Sequence, residues 1–322
     1  MVVVNITEDM KKRILEKLDF LYGYNKSQFI YDEIVKIINE FAVTLKSENQ
    51  QKKWVDERNV YLITYGDNIK EKDKAFLKSL HEFLKEHLKG IISDVHILPF
   101  YPYSSDDGFS VIDYCKVNPQ LGDWEDIEKM SDDFDLMFDA VINHISSKSS
   151  WFQGYLKGEK EYLNFFIEAE DCPELAKVTR PRALPLLTEF ETVDGLKKVW
   201  TTFSADQIDL NFKNEKVLLK IIEVLLFYVS KGAKTIRLDA IGYLWKELGT
   251  TCIHLEQAHK AIQLFRDIFD IVAPNTILIT ETNVPHKENI SYFGNGYNEA
   301  QMVYQFPLPP LVLNAYQTGN AS

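Results

Sequence analysis

Apolar residues follow two patterns along this chain, one typical of amphipathic helices and one typical of buried parallel strands. Apolar positions that recur every three to four residues predict helices. These lie within residues 7–57, near 70–88, at Asp123–Met130, at Val217–Ser230 and near 254–271. Continuous apolar runs between them predict strands that are buried on both faces. Such runs lie at Val60–Thr64, Asp94–Phe100, Phe134–Asn143, Ala233–Ala240, Thr276–Glu281 and Met302–Phe306.

The alternation of strands and helices predicts an α/β fold of the (β/α)8 TIM-barrel type. It stops after the third strand, where an aromatic and irregular interval predicts a small inserted domain. We therefore expect an N-terminal helical extension, a first barrel part, the inserted domain and a second barrel part, at residues 1–57, 58–144, 145–206 and 207–322. Only about six strands are predicted, whereas a closed barrel needs eight. We expect an incomplete barrel and a truncated chain.

The charge balance bears on the class of partner. The 322 residues include 48 acidic and 36 basic side chains, a net charge of -12. This excess argues against nucleic acid or an anionic membrane as the main partner. No run reaches the roughly 18 apolar residues of a membrane helix, and the apolar run at the start is too short for a signal peptide. We expect a soluble, cytoplasmic protein, and the composition leaves the oligomeric state open.

The cysteines give no sign of a structural bridge or a metal site. There are three of them, Cys115, Cys172 and Cys252, and their spacing matches no paired-ligand pattern. An odd number without such spacing is not typical of a disulfide framework or a zinc site. We therefore expect no bound metal.

Two carboxylates end successive predicted strands, and a cation lies beside one of them. Asp239 ends the fourth strand and Glu281 the fifth, and the carboxyl ends of barrel strands meet at one rim. Arg237 shares a strand face with Asp239 and is expected to keep that carboxylate ionised. Taken alone, an acid at a strand end is more often a helix cap or an ion-pair partner. Together, two such acids suit retaining glycoside chemistry, in which the carboxyl groups lie about 5–5.5 Å apart.

Three short segments together resemble the conserved regions of the α-amylase superfamily, glycoside hydrolase family 13. They are Asp139 with Asn143-His144, then Arg237-Leu-Asp239, then Glu281. The resemblance implies an α-amylase-type barrel in which Asp239 is the nucleophile and Glu281 is the general acid/base. It also implies that His144 and Arg237 bind glucosyl hydroxyls and the nucleophile.

The segments at 96–124 and 239–252 are similar to the sucrose phosphorylase branch of this family. By that resemblance Asp106 binds glucose hydroxyls and Phe109 forms an apolar platform under the sugar ring. Tyr243, in the second segment, is a further candidate for substrate binding. Without the resemblance, Ser104–Phe109 is equally well interpreted as a turn, and Phe109 is more often a core residue.

Within the branch, the segments at 103–108, 180–188, 199–209 and 296–301 are most similar to glucosylglycerate phosphorylases. Arg180 and Arg182 are candidates for binding phosphate or a glycerate carboxylate, because arginine suits such oxyanions. Composition alone favours a solvated loop or an ion pair for both.

This resemblance implies a retaining α-glucosyl phosphorylase, a type of glycosyltransferase. It would convert a glucoside, 2-O-α-glucosylglycerate in the first instance, and inorganic phosphate into α-glucose 1-phosphate. Phosphate would be a co-substrate, and no metal or organic cofactor is expected. Three alternatives remain open: a sucrose or sucrose 6'-phosphate phosphorylase, a hydrolase or transglycosidase, and an inactive fragment.

The fourth conserved region of the family is a His-Asp pair after the seventh strand, whose Asp stabilises the transition state. No His-Asp pair follows Glu281 in this sequence. We expect that the chain is truncated before this region and before the C-terminal β domain of the family, so its activity as it stands is an open question.

Overall fold

The continuous apolar runs form one parallel sheet. The protein is represented by a computed structural model that describes residues 4–45 and 54–321. The six strands of the sheet stand in the order β1 (Tyr61–Thr64), β2 (Asp94–Ile97), β3 (Asp135–Ala140), β8 (Ala233–Leu238), β9 (Ile277–Thr280) and β10 (Met302–Val303). Each neighbouring pair is parallel. All six predicted strands are confirmed. The predicted extension 1–57 falls partly outside the described residues, at 1–3 and 46–53, as does Ser322 of the second barrel part.

Several strands are shorter than the sequence predicts. The second ends at Ile97 rather than Phe100, because Pro99 has no N–H for the ladder. The third ends at Ala140 rather than Asn143, because the chain there leaves the sheet for an antiparallel pairing. The sixth covers only two residues of Met302–Phe306.

The sheet is an incomplete barrel. In the described part of the chain, β1 pairs only with β2 and β10 only with β9, so both edges are open. The predicted incomplete (β/α) barrel is therefore confirmed.

The described residues also form nine α-helices. In chain order they are α1 (Glu8–Tyr22), α2 (Tyr24–Ala42), α3 (Phe76–His87), α4 (Trp124–Ser131), α5 (Ser150–Leu156), α6 (Glu215–Ser230), α7 (Glu256–Val272), α8 (His286–Ile290) and α9 (Leu308–Thr318). Of these, α4 packs on β3 and α6 on β8. The start of α4 shows how the sequence sets a boundary, since Asp123 and Asp126 form a capping box. None of these helices is long and apolar enough to cross a membrane.

The chain between β3 and β8 carries four further strands. β4 (His144–Ser146) pairs with β7 (Gln207–Asp209), and β5 (Leu187–Thr192) pairs with β6 (Gly195–Trp200), both antiparallel. The sequence analysis assigned no strands here, because the β5–β6 hairpin is mostly exposed and lacks a continuous apolar run. Val178, Leu186 and Trp200 of this segment form a small buried apolar cluster with Cys252.

The N-terminal helices α1 and α2 pack on α7 and α6, respectively. Besides apolar contacts, α1 reaches a carboxylate on α7. Lys17 Nζ lies 2.7 Å from Asp267 Oδ2, and Arg13 Nε lies 3.4 Å from Asp267 Oδ1. The side chains of Lys17 and Asp267 are only 12% and 8% exposed. This largely buried ion pair joins α1 to α7 of the barrel.

We expect the substitution Asp267→Asn to lower the free energy of unfolding by about 3 kcal/mol, because it leaves Lys17 buried without its counter-charge. Denaturant unfolding followed by circular dichroism measures the change. Glu256→Gln on the same helix is the matched control, since Glu256 meets Lys260 at the surface and such a pair is worth about 0–1 kcal/mol. Equal losses in the two variants would show that the ion pair does not hold α1 on α7.

Candidate active site

Strand register brings a cation between two carboxylates at the carboxyl end of the sheet. Arg237 on β8 is the Cα partner of Asp139 on β3. Its Nη1 donates to Asp139 Oδ1 at 2.5 Å and to Asp239 Oδ1 at 2.8 Å. His96, on β2, approaches the other oxygen of Asp139 at 2.7 Å. The three strands together therefore fix the position of the Asp239 carboxylate.

Glu281 lies at the end of the next strand and is linked to Asp239 through a single residue. The backbone N–H of Ala240 donates to Glu281 Oε2 at 3.1 Å. Ala240 has a φ of 48°, in the left-handed region that a residue with a Cβ rarely adopts. Such strain is found where the surroundings enforce it, often at functional sites. Ala240 directly follows Asp239 in the sequence and donates its N–H to Glu281, so this strained residue connects the two acids.

The two acids differ in their electrostatic surroundings. Burial raises the pKa of Asp239, and Arg237 opposes this rise. Burial and then the neighbouring Asp239 raise the pKa of Glu281. Because Asp239 has the direct contact with the guanidinium, the anion is better stabilised there, and a proton shared by the pair resides on Glu281.

Arg237 favours the charged form of Asp239, as predicted. This effect does not bring the pKa of Asp239 below its ordinary value. Arg237 divides its charge between two acids. Although burial opposes ionisation of Asp139, Arg237 and His96 hold the pKa of that buried carboxyl below its usual range. The cation is thus shared, and desolvation outweighs its effect at Asp239.

The Ser104–Phe109 segment is both a turn and a wall of this site. Asp106, Asp107 and Gly108 have φ angles of 56°, 50° and 108°. Glycine is required at the third position, because a Cβ there would lie 2.7 Å from the carbonyl oxygen of Pro99. The turn brings the Phe109 ring within 5.5 Å of the Arg237 guanidinium.

Gln207, which the sequence analysis did not identify, joins this turn to the strand pair β4–β7. Its Nε2 donates to Asp106 Oδ2 at 3.0 Å and to the Phe109 carbonyl at 3.2 Å, and lies 3.2 Å from His144 Nε2. His144 Nε2 itself lies 2.9 Å from the same carbonyl. The signal that could have identified Gln207 is the strand-like stretch Gln207–Asp209, because alternate residues of a strand lie on the same face and Gln207 therefore shares a face with Asp209.

Of the two predicted arginines, the structure brings only one to the site. Arg182 Nη2 donates to both carboxylate oxygens of Asp106, at 3.3 and 3.1 Å. Arg180 is exposed, and its side chain forms no hydrogen bond or ion pair with the described residues.

Two further aromatic residues complete the cluster. The Phe203 ring lies 5.8 Å from the Arg182 guanidinium and 5.5 Å from the ring of Tyr243. Burial raises the pKa of Tyr243, and the nearby Glu281 adds to the rise. Tyr304, just beyond β10, lies 5.2 Å from the Arg237 guanidinium. Phe203 and Tyr304 were not predicted, since an isolated aromatic residue gives no signal of a site. All predicted site residues except Arg180 are therefore joined in one cluster.

A buried lysine fixes β4 and β7 beside the cluster. Lys246 Nζ lies 2.5 Å from Asp209 Oδ2 and donates to Asn143 Oδ1 at 2.7 Å. Asp209 also accepts from the backbone and hydroxyl of Thr202, both at 2.7 Å. Burial lowers the pKa of Lys246, and Asp209 opposes the change. No group of three or more His, Cys, Asp or Glu side chains within residues 4–45 and 54–321 is arranged to hold a metal ion.

Comparison with known proteins identifies the family. The model of the alpha-amylase catalytic domain matches residues 82–321, and the chain belongs to this family. It is 51% identical over 318 residues to a glucosylglycerate phosphorylase of Allomeiothermus silvanus, covering 99% of this chain and 56% of the relative. It is also 51% identical over 314 residues to the glucosylglycerate phosphorylase of Escherichia coli, covering 97% of this chain and 56% of the relative. The chain spans about half the length of these curated relatives.

A solved structure agrees with the fold. Sucrose 6F-phosphate phosphorylase from Thermoanaerobacter thermosaccharolyticum matches with a TM-score of 0.72 at 30% identity. The match covers 82% of this chain and 55% of that one. The α-amylase-type barrel predicted from the three motifs is confirmed.

The raised pKa of Glu281 predicts a pH-dependent stability difference. A carboxyl whose pKa is higher in the folded state binds more protons folded than unfolded, so stability falls as pH rises above the unfolded value of about 4.3. Glutamine cannot titrate. We therefore expect the free energy of unfolding of Glu281→Gln, relative to the natural protein, to increase between pH 4.5 and pH 7. Denaturant titrations across this range measure the difference. Glu288→Gln, at an exposed site, is the control. If the difference in unfolding free energy from the natural protein were independent of pH in both variants, Glu281 would not have a raised pKa.

Proposed function

We propose that this site belongs to a retaining α-glucosyl phosphorylase that acts on 2-O-α-glucosylglycerate and phosphate. The observation that carries the proposal is the arrangement of Asp239, held by Arg237, next to Glu281, held by Ala240 N–H. The choice of substrate rests on the relatives, since the two glucosylglycerate phosphorylases are 51% identical to this chain, whereas a sucrose 6(F)-phosphate phosphorylase is 36% identical over 215 residues.

In the first step the Asp239 carboxylate attacks the anomeric carbon of the glucosyl group. Glu281 gives its proton to the glycosidic oxygen as the bond between that oxygen and the anomeric carbon breaks. Glycerate leaves with a free hydroxyl group, and the glucosyl group is bound to Asp239 as a β-ester. The ionisation pattern fits these roles, because the cation lies at Asp239 and the proton at Glu281.

In the second step an oxygen of phosphate attacks the anomeric carbon from the opposite side. Glu281, now a carboxylate, accepts a proton from the incoming phosphate, and the ester bond to Asp239 breaks. The product is α-glucose 1-phosphate. Two inversions restore the original configuration, which is the definition of a retaining mechanism.

The remaining residues of the cluster bind the substrates. Asp106 and His144 accept or donate hydrogen bonds at glucosyl hydroxyls, and Phe109 supplies an apolar surface for the ring. Arg237 binds the nucleophile, and Tyr243 lies beside the general acid. Arg182, with Arg180 in the same loop, supplies positive charge for phosphate or for the glycerate carboxylate. This assignment requires Arg182 to exchange its contact with Asp106 for the substrate.

Phosphate is the only co-substrate in this reaction, and we propose no metal or organic cofactor. We also propose a cytoplasmic location, which fits the three free cysteines and the net charge of -12.

The substrate is tested by phosphate-dependent release of α-glucose 1-phosphate from 2-O-α-glucosylglycerate, measured on the complete natural protein that contains these residues. We expect release only when phosphate is present. Release from sucrose or sucrose 6'-phosphate but not from glucosylglycerate would show that the acceptor is wrong. Release of free glucose at the same rate without phosphate would show a hydrolase.

The roles of the two acids predict different responses to substitution. We expect Glu281→Gln to lower kcat on glucosylglycerate about 10²–10⁴-fold, the usual contribution of a general acid. With α-glucosyl fluoride, whose fluoride departs without a proton, the first step of this variant should be nearly normal. Asp239→Asn should be inactive on both substrates, and Glu288→Gln should resemble the natural protein. If α-glucosyl fluoride reacted no better than glucosylglycerate in Glu281→Gln, Glu281 would not be the proton donor.

A further inference from the structure

The carboxylate of Asp206 accepts hydrogen bonds from four serine hydroxyls. Ser104 and Ser105 donate to Oδ2 at 2.5 Å each, and Ser110 donates to the same oxygen at 2.9 Å. Ser147 donates to Oδ1 at 2.5 Å. Asp206 precedes β7 and is not part of the cluster that holds Asp239 and Glu281. It therefore needs an explanation of its own.

The carboxylate of Asp206 is stabilised by hydrogen bonds from neutral hydroxyl groups. In the described part of the chain, no Lys, Arg or His side chain forms an ion pair with it. A serine hydroxyl has one proton to give, whereas an ionised carboxylate only accepts, so four donors can converge on it. Bonds of this kind to an ionised acceptor are stronger than those between neutral groups. Although burial acts in the opposite direction, these hydroxyl bonds hold the pKa of Asp206 below its ordinary value.

Three of the four serines enclose the turn that forms a wall of the site. Ser104 and Ser105 directly precede Asp106, and Ser110 directly follows Phe109. The turn between them has three successive residues with positive φ, two of which carry a Cβ. A backbone in this state persists only when its surroundings hold it. Asp206 holds both ends of the turn, and the adjacent Gln207 holds its middle through Asp106 and the Phe109 carbonyl.

A further chain of hydroxyls runs to the same carboxylate from the inserted segment. The Lys148 N–H donates to Ser146 Oγ at 2.9 Å, and Ser146 Oγ lies 2.5 Å from Ser104 Oγ. Since Ser104 gives its proton to Asp206, it accepts the proton of Ser146. Each hydroxyl in this series therefore donates toward Asp206. If residue 206 carried a hydrogen-bond donor in place of one carboxylate oxygen, at least one serine hydroxyl would have no acceptor.

We propose that Asp206 is a positioning residue that fixes Asp106 and Phe109 for binding of the glucosyl ring. This inference rests on the proposed function, in which those two residues bind the sugar. Asp206 does not touch the substrate and acts through the serine hydroxyls. Because the sugar contacts are made in both the ground state and the transition state, loss of this anchor weakens substrate binding more than it slows the chemistry.

The test is Asp206→Asn in the complete natural protein, which keeps the shape of the side chain but replaces one acceptor by a donor. We expect KM for glucosylglycerate to rise about tenfold and kcat to change less than about threefold. Ser105→Ala, which removes one donor, should change KM in the same direction by a smaller factor. Asp194→Asn, at the exposed β5–β6 turn, is the matched control and should change neither constant.

A purely structural role would appear differently, as a lower melting temperature with KM unchanged in the folded fraction. That result, or a fall in kcat at constant KM, would overturn the inference. Amide hydrogen exchange provides a second measurement that does not need turnover. We expect Asp206→Asn to speed exchange at residues 104–110 while β8 and β9 keep their protection.

The two measurements separate failure of the inference from failure of the proposed function. If the natural protein shows no phosphorolysis of any glucoside, the proposed function fails, and amide exchange alone decides the role of Asp206. Unchanged exchange at residues 104–110 then overturns the inference, and faster exchange confined to that turn supports it.

Discussion

The contact of one guanidinium with two buried carboxylates is the interaction on which the site depends. Arg237 lies between Asp139 and Asp239, at 2.5 and 2.8 Å, where little solvent screens any of the three charges. Loss of the cation would leave Asp239 without its counter-charge and Asp139 with only its contact to His96, at a cost of several kcal/mol. The parallel register of β3 and β8 places Arg237 opposite Asp139. The same ion pair therefore links the strand register of the fold to the position of the acids in the site.

Around this centre the protein keeps strained backbone in place with hydrogen bonds. Ala240 holds a left-handed conformation between the two acids and directs its N–H at Glu281. The Asp106–Gly108 turn holds three such residues in succession, with anchors at its ends and its middle. Strain of this kind costs about 1–3 kcal/mol at each residue other than glycine, here Ala240, Asp106 and Asp107. The packed strands and the serine hydroxyls around Asp206 supply the stabilisation, so a rigid scaffold holds the side chains that we propose bind the sugar.

The sequence predicted the parts of this site that are local in the chain. Buried strands show as apolar runs, and Asp239 and Glu281 end such runs, so their positions followed from spacing and from the resemblance. Gln207, Asp206 and the Lys246–Asp209 ion pair were not predicted, because each acts through partners about 40 to 100 residues away. The β5–β6 hairpin was missed for another reason, its polar and exposed strands. Arg180 and Arg182 have the same local pattern, and only the folded chain distinguishes them.

The central claim is that Asp239 is the charged nucleophile and Glu281 its protonated neighbour. The most direct measurement is mass spectrometry of the complete natural protein after reaction with a fluorinated glucosyl fluoride that slows the second step. The account predicts one covalent glucosyl group, on the peptide that contains Asp239, and its release when phosphate is added. A glucosyl group on Glu281 or on any other side chain would contradict the account.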